Sequence, residues 1–499
     1  MRKTDTLITQ NENTFKHFGL RYLYDMKFAS YFLIFLQLQV SCLVWVSYGQ
    51  DANIISNALA QINVSEEGHS VFSLFKERES NLAAITQLKL AQRYGDSTYD
   101  KFNYFSVVRF YGYAGVDMVV RSRQELVAFS IGSYLFPQII ALDAVGRDIS
   151  DHGKTIIAAN TTRFGILFNP FNDDSEKNIY GLLEFDFTGT SQLTAYSAKI
   201  RHTFGELLWN SGALLFGQYF HPLFLPEAFP RTVSSSMGSS FEPQALVPQI
   251  RLTQMLGNME LIFALASEGY ILSFGPLFAL DDYIENAIVP NVHFQLKWRY
   301  DGSFIGGAID YKRLVPRLAS ATNYKVDEFI DSLIGEVFIH TFFRWGEINL
   351  KAVYAENGAD QLLISGFGVR TVDPITDCQT YANTAAISVW LDTFCVFHCQ
   401  DMSLGLFVGG VKNLGAKHAL YVTPAEPTPI IYTVDDSAQN LAFTTRVSPR
   451  FLYARGAFRF GIEFTWDRAL FGTIDRYAKV MNAQPVNSFS YEISLDYVF

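Results

Sequence analysis

The final stretch of the chain constrains its fold more than any other part. Phe489, Tyr491, Ile493, Leu495, Tyr497 and Phe499 alternate with Ser490, Glu492, Ser494, Asp496 and Val498, and the chain stops on an aromatic ring. Successive side chains of a strand point to opposite faces, so this stretch has one apolar face and one polar face. The same period recurs upstream. In 292–300, Val292, Phe294, Leu296, Trp298 and Tyr300 oppose His293, Gln295, Lys297 and Arg299. In 457–467, Phe458, Phe460, Ile462, Phe464 and Trp466 oppose Arg459, Gly461, Glu463 and Thr465. Ile348, Leu350, Ala352 and Tyr354 oppose Glu347, Asn349 and Lys351.

A soluble β-sandwich alternates in the same way. Two details favour a transmembrane barrel instead. The apolar faces end in Trp and Tyr, as interfacial girdles do, and the polar faces carry Lys, Arg, Asp and Glu in mid-strand, as a wet lumen permits. Composition agrees: 44 Phe and 26 Tyr coexist with a mean hydropathy of only +0.10. Helical membrane proteins need repeated runs of about 20 apolar residues. A single such run exists here, from Phe28 to Tyr48.

Alternating segments fall near 105–121, 155–168, 177–188, 194–208, 211–219, 244–256, 257–267, 289–300, 302–314, 331–344, 346–356, 383–398, 401–413, 440–454, 455–467 and 487–499. These predict an all-β, antiparallel up-and-down barrel of about sixteen strands over 105–499, an even number as single-chain bacterial barrels require. Short turns such as 300–303 and 344–346 alternate with long polar stretches such as 220–243, 268–288, 357–381 and 414–439, predicting a short-turn rim and a long-loop rim.

Residues 1–49 read as an N-terminal extension followed by a secretory signal. The signal proper is about 26–49, with Lys27 as its positive start, Phe28 to Val46 as its apolar stretch and Ser47-Tyr48-Gly49 as a cleavage site. The polar segment before Met26 is either an over-extended translation start or an unusual n-region, with Met1 and Met26 both open as the start. A membrane anchor is the alternative for the run, and Cys42 with Gln39 upstream makes a poor lipoprotein site. Residues 50–104 lack period-2 alternation and read as a periplasmic extension, with helix as one option. The formal charge of −10 excludes nucleic acid as a partner, which would need a basic footprint.

Several segments over about 100–260 resemble the DcaP-like trimeric outer-membrane porins. They are Phe110-Tyr111-Gly112-Tyr113 with Asp117, Thr162-Arg163-Phe164-Gly165, Lys199 to Glu206, Leu214 to Gln218 followed by a Pro-rich loop, and Pro248 to Arg251. The resemblance implies sixteen strands, a homotrimer in outer-membrane lipid, a loop folded into the lumen, and a preference for small anionic solutes such as dicarboxylates. The insert at about 122–154 and the absence of an N-terminal coiled-coil heptad depart from that family.

A porin needs no catalyst; the charges lining its constriction set selectivity. Strand parity predicts Arg109, Arg163, Lys199, Arg201, Arg251, Lys297, Arg299, Lys312, Arg344, Lys351, Arg446, Arg450 and Arg459 on the lumen face. Asp117, Glu184, Asp186, Asp310, Glu336, Glu347, Glu463 and Asp467 share it. The lumen is thus expected to be more basic than the chain, with most acids in loops, and Arg163, Arg201 and Arg251 are expected to form part of a basic ladder. The plainer reading makes these paired wall charges. The loop 221–244, with Pro222, Pro226, Pro230 and Pro243, is the expected constriction loop, carrying His221, Glu227, Arg231 and Glu242; an outer surface loop is the alternative.

No cofactor or metal is expected. Cys378, Cys395, His398 and Cys399 resemble a zinc cluster on paper, but on one strand Cys395 and Cys399 stand about 13 Å apart with His398 on the other face. No P-loop, HExxH or nucleophile motif is present. The expected function is passive diffusion of small hydrophilic solutes. The competing readings are an outer-membrane barrel enzyme of phospholipase or protease type, and a plugged structural or adhesin barrel.

Overall fold

The computed structural model describes residues 108–127, 134–168, 177–190, 194–343, 346–397, 401–435 and 437–499. The signal segment and the 50–104 extension lie outside the described residues, as do Arg344, His398 and Cys399.

Sixteen antiparallel strands close on themselves. In chain order they are β1 (Val108–Arg121), β2 (Lys154–Ala158 continued by Arg163–Phe168), β3 (Lys177–Asp186), β4 (Lys199–Trp209), β5 (Gly212–Phe220), β6 (Leu246–Leu256), β7 (Met259–Ala266) and β8 (Asn291–Tyr300). The second half comprises β9 (Ser303–Leu314), β10 (Ile330–Phe343), β11 (Gly346–Glu356), β12 (Gln379–Val396), β13 (Met402–Ala416), β14 (Leu441–Arg455), β15 (Phe458–Ile474) and β16 (Val480–Val498). Each of the sixteen alternating segments of the sequence corresponds to one of these strands. β1 pairs with β2 on one side and with β16 on the other, from Tyr113 opposite Val498 to Arg121 opposite Ser490. No edge remains, as a lipid-facing sheet requires.

The terminal residue takes part in the closure. Phe499 N–H donates to Gly112 O at 3.0 Å, and Gly112 N–H donates to Phe499 O at 2.9 Å. A Cβ on Gly112 would stand 3.0 Å from the Phe499 ring and against the Arg163 carbonyl, so the glycine is a packing requirement.

The rim at the chain's end holds the short turns. Asp301-Gly302 joins β8 to β9 with both φ angles positive, at 48° and 77°, the backbone a two-residue hairpin needs to follow the strand twist. The opposite rim carries the long loops. The wall is uneven: β12 and β16 have 18 and 19 residues, whereas β5 and β7 have 9 and 8.

The burial pattern is inverted relative to a soluble protein. Ile305, Ile309 and Val337 are 54%, 55% and 62% exposed, while Glu336 and Lys351 on the opposite face are 4% and 1% exposed. So continuous an apolar exterior is a surface for lipid. Trp298, Tyr300, Phe342, Phe458 and Tyr497 are exposed at the short-turn ends of their strands and form the expected aromatic girdle on that rim.

Candidate functional site: the lumen and its inward loops

The inner face is filled asymmetrically. The loop 221–245 leaves the end of β5 and folds inside the barrel instead of over it. Its polar groups meet the inner wall of distant strands. Glu227 pairs with Lys297 at 2.8 Å and Arg299 at 2.5 Å, and Glu260 of β7 completes the set at 3.1 and 2.5 Å. Arg231 pairs with Glu347 of β11 at 2.8 Å, and its backbone N–H donates to Asp392 of β12 at 3.3 Å. Val233 N–H donates to Glu463 of β15 at 2.7 Å. Glu242 pairs with Lys351 of β11 at 3.0 Å and accepts from Trp390 Nε1 at 2.9 Å. Glu227, Arg231 and Glu242 therefore anchor the loop, and His221 lies fully buried at its root.

Two further segments share the interior, and no pattern of residues marks either in advance. Residues 357–366 are buried beside the loop, with Gln244 N–H donating to Gln361 O at 3.0 Å. Lys312 holds this segment through Asp360 at 2.5 Å and the Asn357 carbonyl at 2.9 Å. A short hairpin, Glu125–Val127 with Tyr134–Pro137, lies within the loop after β1 and turns inward. Arg446 reaches its Leu135 carbonyl at 2.9 Å and the Ser239 carbonyl at 2.5 Å while pairing with Asp467 at 2.8 Å. Leu135, Phe136, Phe241, Leu362, Ile364, Trp390, Phe407 and Phe471 pack into one apolar cluster. The β12–β15 side of the lumen is thus a dry core, cemented to the wall by ion pairs and worth about 25 cal/mol for each Å² of apolar surface it removes from water.

Open space remains on the other side. A cleft open to solvent runs between Val233, Ser235, Met237 and Gln244 of the loop and the wall formed by β16 and β1–β5. Arg163, Lys199 and Arg201 line one arc of it, and Asp117 and Asp496 the neighbouring arc. The cations are partly neutralised. Arg201 pairs with the fully buried Glu184 at 2.8 Å, and Arg163 stands 3.7 Å from the same carboxylate. Asp186 lies 3.5 Å from Lys199 and 3.8 Å from Arg201. Tyr111 donates to Glu184 at 2.7 Å, and Thr161 donates to Asp117 at 2.5 Å. Arg163 and Arg201 lie over the Tyr113 and Phe220 rings at 5.4 and 5.1 Å, a cation–π contact for each guanidinium.

The lumen-facing residues named from strand parity lie on the inner face wherever the structure describes their side chains, buried except for the half-buried Arg163 and Arg299, but they divide into groups. Arg163, Lys199, Arg201, Asp117 and Asp186 line the cleft. Arg251 does not join them: it lies under the loop, donating to Gln249 Oε1 at 2.9 Å and the Phe220 carbonyl at 2.6 Å. Lys297, Arg299, Lys351 and Arg446 are used in anchoring, and Arg450 pairs with Asp392 at 2.8 Å. Arg459 is buried on β15. Arg109 is in β1, with its side chain outside the described part.

The expectation of a predominantly basic lumen does not hold for the described wall. Glu206, Glu260, Asp392, Glu492 and Asp496 are buried on the inner face beside the acids already expected there. Their place is legible in the sequence: Glu492 and Asp496 stand on the polar face of the last alternating stretch, and Glu206, Glu260 and Asp392 fall on the polar parity of theirs.

No protein-family model and no curated protein sequence matches this chain. Solved structures do. The outer-membrane channel DcaP of Acinetobacter baumannii superposes with a TM-score of 0.56 at 16% identity, covering 79% of this chain and 97% of that one. The OmpT trimer form of Vibrio cholerae gives 0.45 at 11% identity over 79% and 99% of the two chains. An anion-selective porin from Comamonas acidovorans gives 0.45 at 9% over 79% and 99%. The fold is that of the DcaP channel.

Proposed function

We propose that the chain is a porin of the bacterial outer membrane that passes small hydrophilic solutes and favours anions. One observation carries the reading: an off-centre cleft has a charged wall on one side and a near-neutral loop on the other, and the loop is held by buried ion pairs. A fixed constriction of this kind lets solutes diffuse without a moving part. The anion preference rests on the arc of Arg163, Lys199 and Arg201. Glu184, the carboxylate shared by Arg163 and Arg201, is fully buried and does not line the cleft, so the two guanidinium groups stand nearer the passage than it does, whereas Asp186 lines the cleft beside Lys199. Because they are partnered, the selectivity is modest. Export by cleavage near residue 49 and assembly as a homotrimer complete the proposal, on the strength of the sequence pattern and the resemblance it carries.

The test is single-channel recording in a planar bilayer under a salt gradient. Discrete steps with an anion-side reversal potential are expected, with Arg163→Gln plus Lys199→Gln moving that potential toward cations while steps persist. A cation-selective parent overturns the anion preference and leaves the channel. No steps from folded protein overturns the channel and favours a plugged or enzymatic barrel.

A further inference from the structure

The geometry points to a divalent transition-metal site, of the kind that takes zinc, at the root of the inward loop, formed by His221, His293 and Asp310. His293 of β8 and Asp310 of β9 are cross-strand partners on the inner face. His221, the first residue after β5, is carried inward to meet them as the loop turns into the lumen. The His293 Nδ1 and His221 Nε2 atoms lie 3.3 and 3.5 Å from Asp310 Oδ1, and one ligand atom from each residue falls within 4.8 Å of the others. Bonds of about 2.0–2.1 Å in tetrahedral geometry set ligand atoms a little over 3 Å apart, which matches the two nitrogen–oxygen distances.

A second observation points the same way. His221 and His293 are 0% exposed and Asp310 only 3%, yet His221 Nε2, His293 Nδ1 and Asp310 Oδ1 each have no hydrogen-bond partner. Three converging buried polar atoms left unsatisfied are costly unless something sits between them. The outer contact of His293 suits ligation: its Nε2 lies 3.2 Å from Gln295 Oε1, which places the ring proton there and leaves Nδ1 as a lone-pair donor. On His221, Leu223 N–H approaches Nδ1 at 3.3 Å; ligation through Nε2 moves the ring proton to Nδ1 and gives up that long contact. Two imidazoles and one carboxylate leave a fourth position for water and favour zinc over calcium or magnesium, which prefer all-oxygen sets. Bound there, the ion ties the loop's first residue to β8 and β9, independently of whether the barrel conducts.

Folded protein extracted from membranes, stripped with EDTA and equilibrated with buffered Zn²⁺, is expected to retain one zinc per chain after desalting, measured by elemental analysis. Co²⁺ in its place is expected to give visible bands of a nitrogen- and oxygen-ligated ion. His293→Ala and Asp310→Asn should each lose at least ten-fold in retained metal, whereas His152→Ala, in an exposed loop, should keep it. Failure of the parent to retain metal, or equal retention by the parent and the folded His293 and Asp310 variants, overturns the site. If those variants do not fold, the parent's zinc count and cobalt spectrum decide alone.

Discussion

Replacing Lys351 with methionine should detach the inward loop. Lys351 is 1% exposed, and its ammonium donates to the Leu223 carbonyl at 2.5 Å while standing 3.0 Å from both Glu242 and Glu336. It therefore pins the beginning and the end of the loop to one point on β11, and it is the cation shared by two buried carboxylates. Methionine fills most of the same volume but supplies no charge. Removing one partner of a buried ion pair costs about 3–5 kcal/mol, because the other is left buried and uncompensated. At about 1.4 kcal/mol per decade, the docked-to-undocked ratio of the loop falls by roughly two to three and a half orders of magnitude. Single-channel recording should show added current noise and a broadened conductance distribution, and limited proteolysis should begin within 221–245. Two controls follow from the same electrostatics. The defect should shrink at low pH, since protonating either carboxylate removes the repulsion. The triple variant Glu242→Gln, Glu336→Gln and Lys351→Met should recover much of the loss, because replacing a whole buried ion set is far cheaper than orphaning part of it. Unchanged noise, conductance and protease resistance in Lys351→Met would refute the anchoring argument.

Closure of the barrel gives a second test: Gly112→Val forces a side chain against the Arg163 carbonyl and the Phe499 ring, and should lower the temperature at which the folded form is lost on unboiled gels. Gly335→Ala in β10, whose Cβ would meet only the Ala308 carbonyl at an ordinary 3.9 Å, should leave that temperature nearly unchanged. On the exterior, Val337→Arg puts a charge at the middle of β10 facing lipid, at a cost of about 2–4 kcal/mol. Its folding yield into vesicles should fall accordingly, and a yield equal to the parent's would mean that this face does not meet the hydrocarbon.

The strands and their two faces were legible in the sequence for a local reason. A period of two is written into neighbouring residues, and nothing outside the segment is needed to decide that Phe294 and Lys297 point to opposite sides. Turn chemistry is equally local, as Asp301-Gly302 illustrates, and closure was announced by the alternation that runs to Phe499. For the same reason Glu260 and Asp392 could have been assigned to the lumen from parity alone.

The interior could not be read in that way. Whether Arg163 faces the cleft, Lys297 an anchor and Arg251 the underside of a loop depends on what arrives from elsewhere in the chain. Arg231 meets Glu347 across 116 residues and Lys351 meets Glu242 across 109, and no periodicity encodes those encounters. Nor does a run of nine scattered histidines show that His221 and His293 converge on Asp310. A lipid-facing barrel with a charged lumen follows from local alternation, because each strand's amphipathy is a property of adjacent side chains. How much of that lumen stays open, and which charges face it, follows from folding in three dimensions, because loops from distant positions fill one side with an apolar core and consume the nearby charges in holding it there.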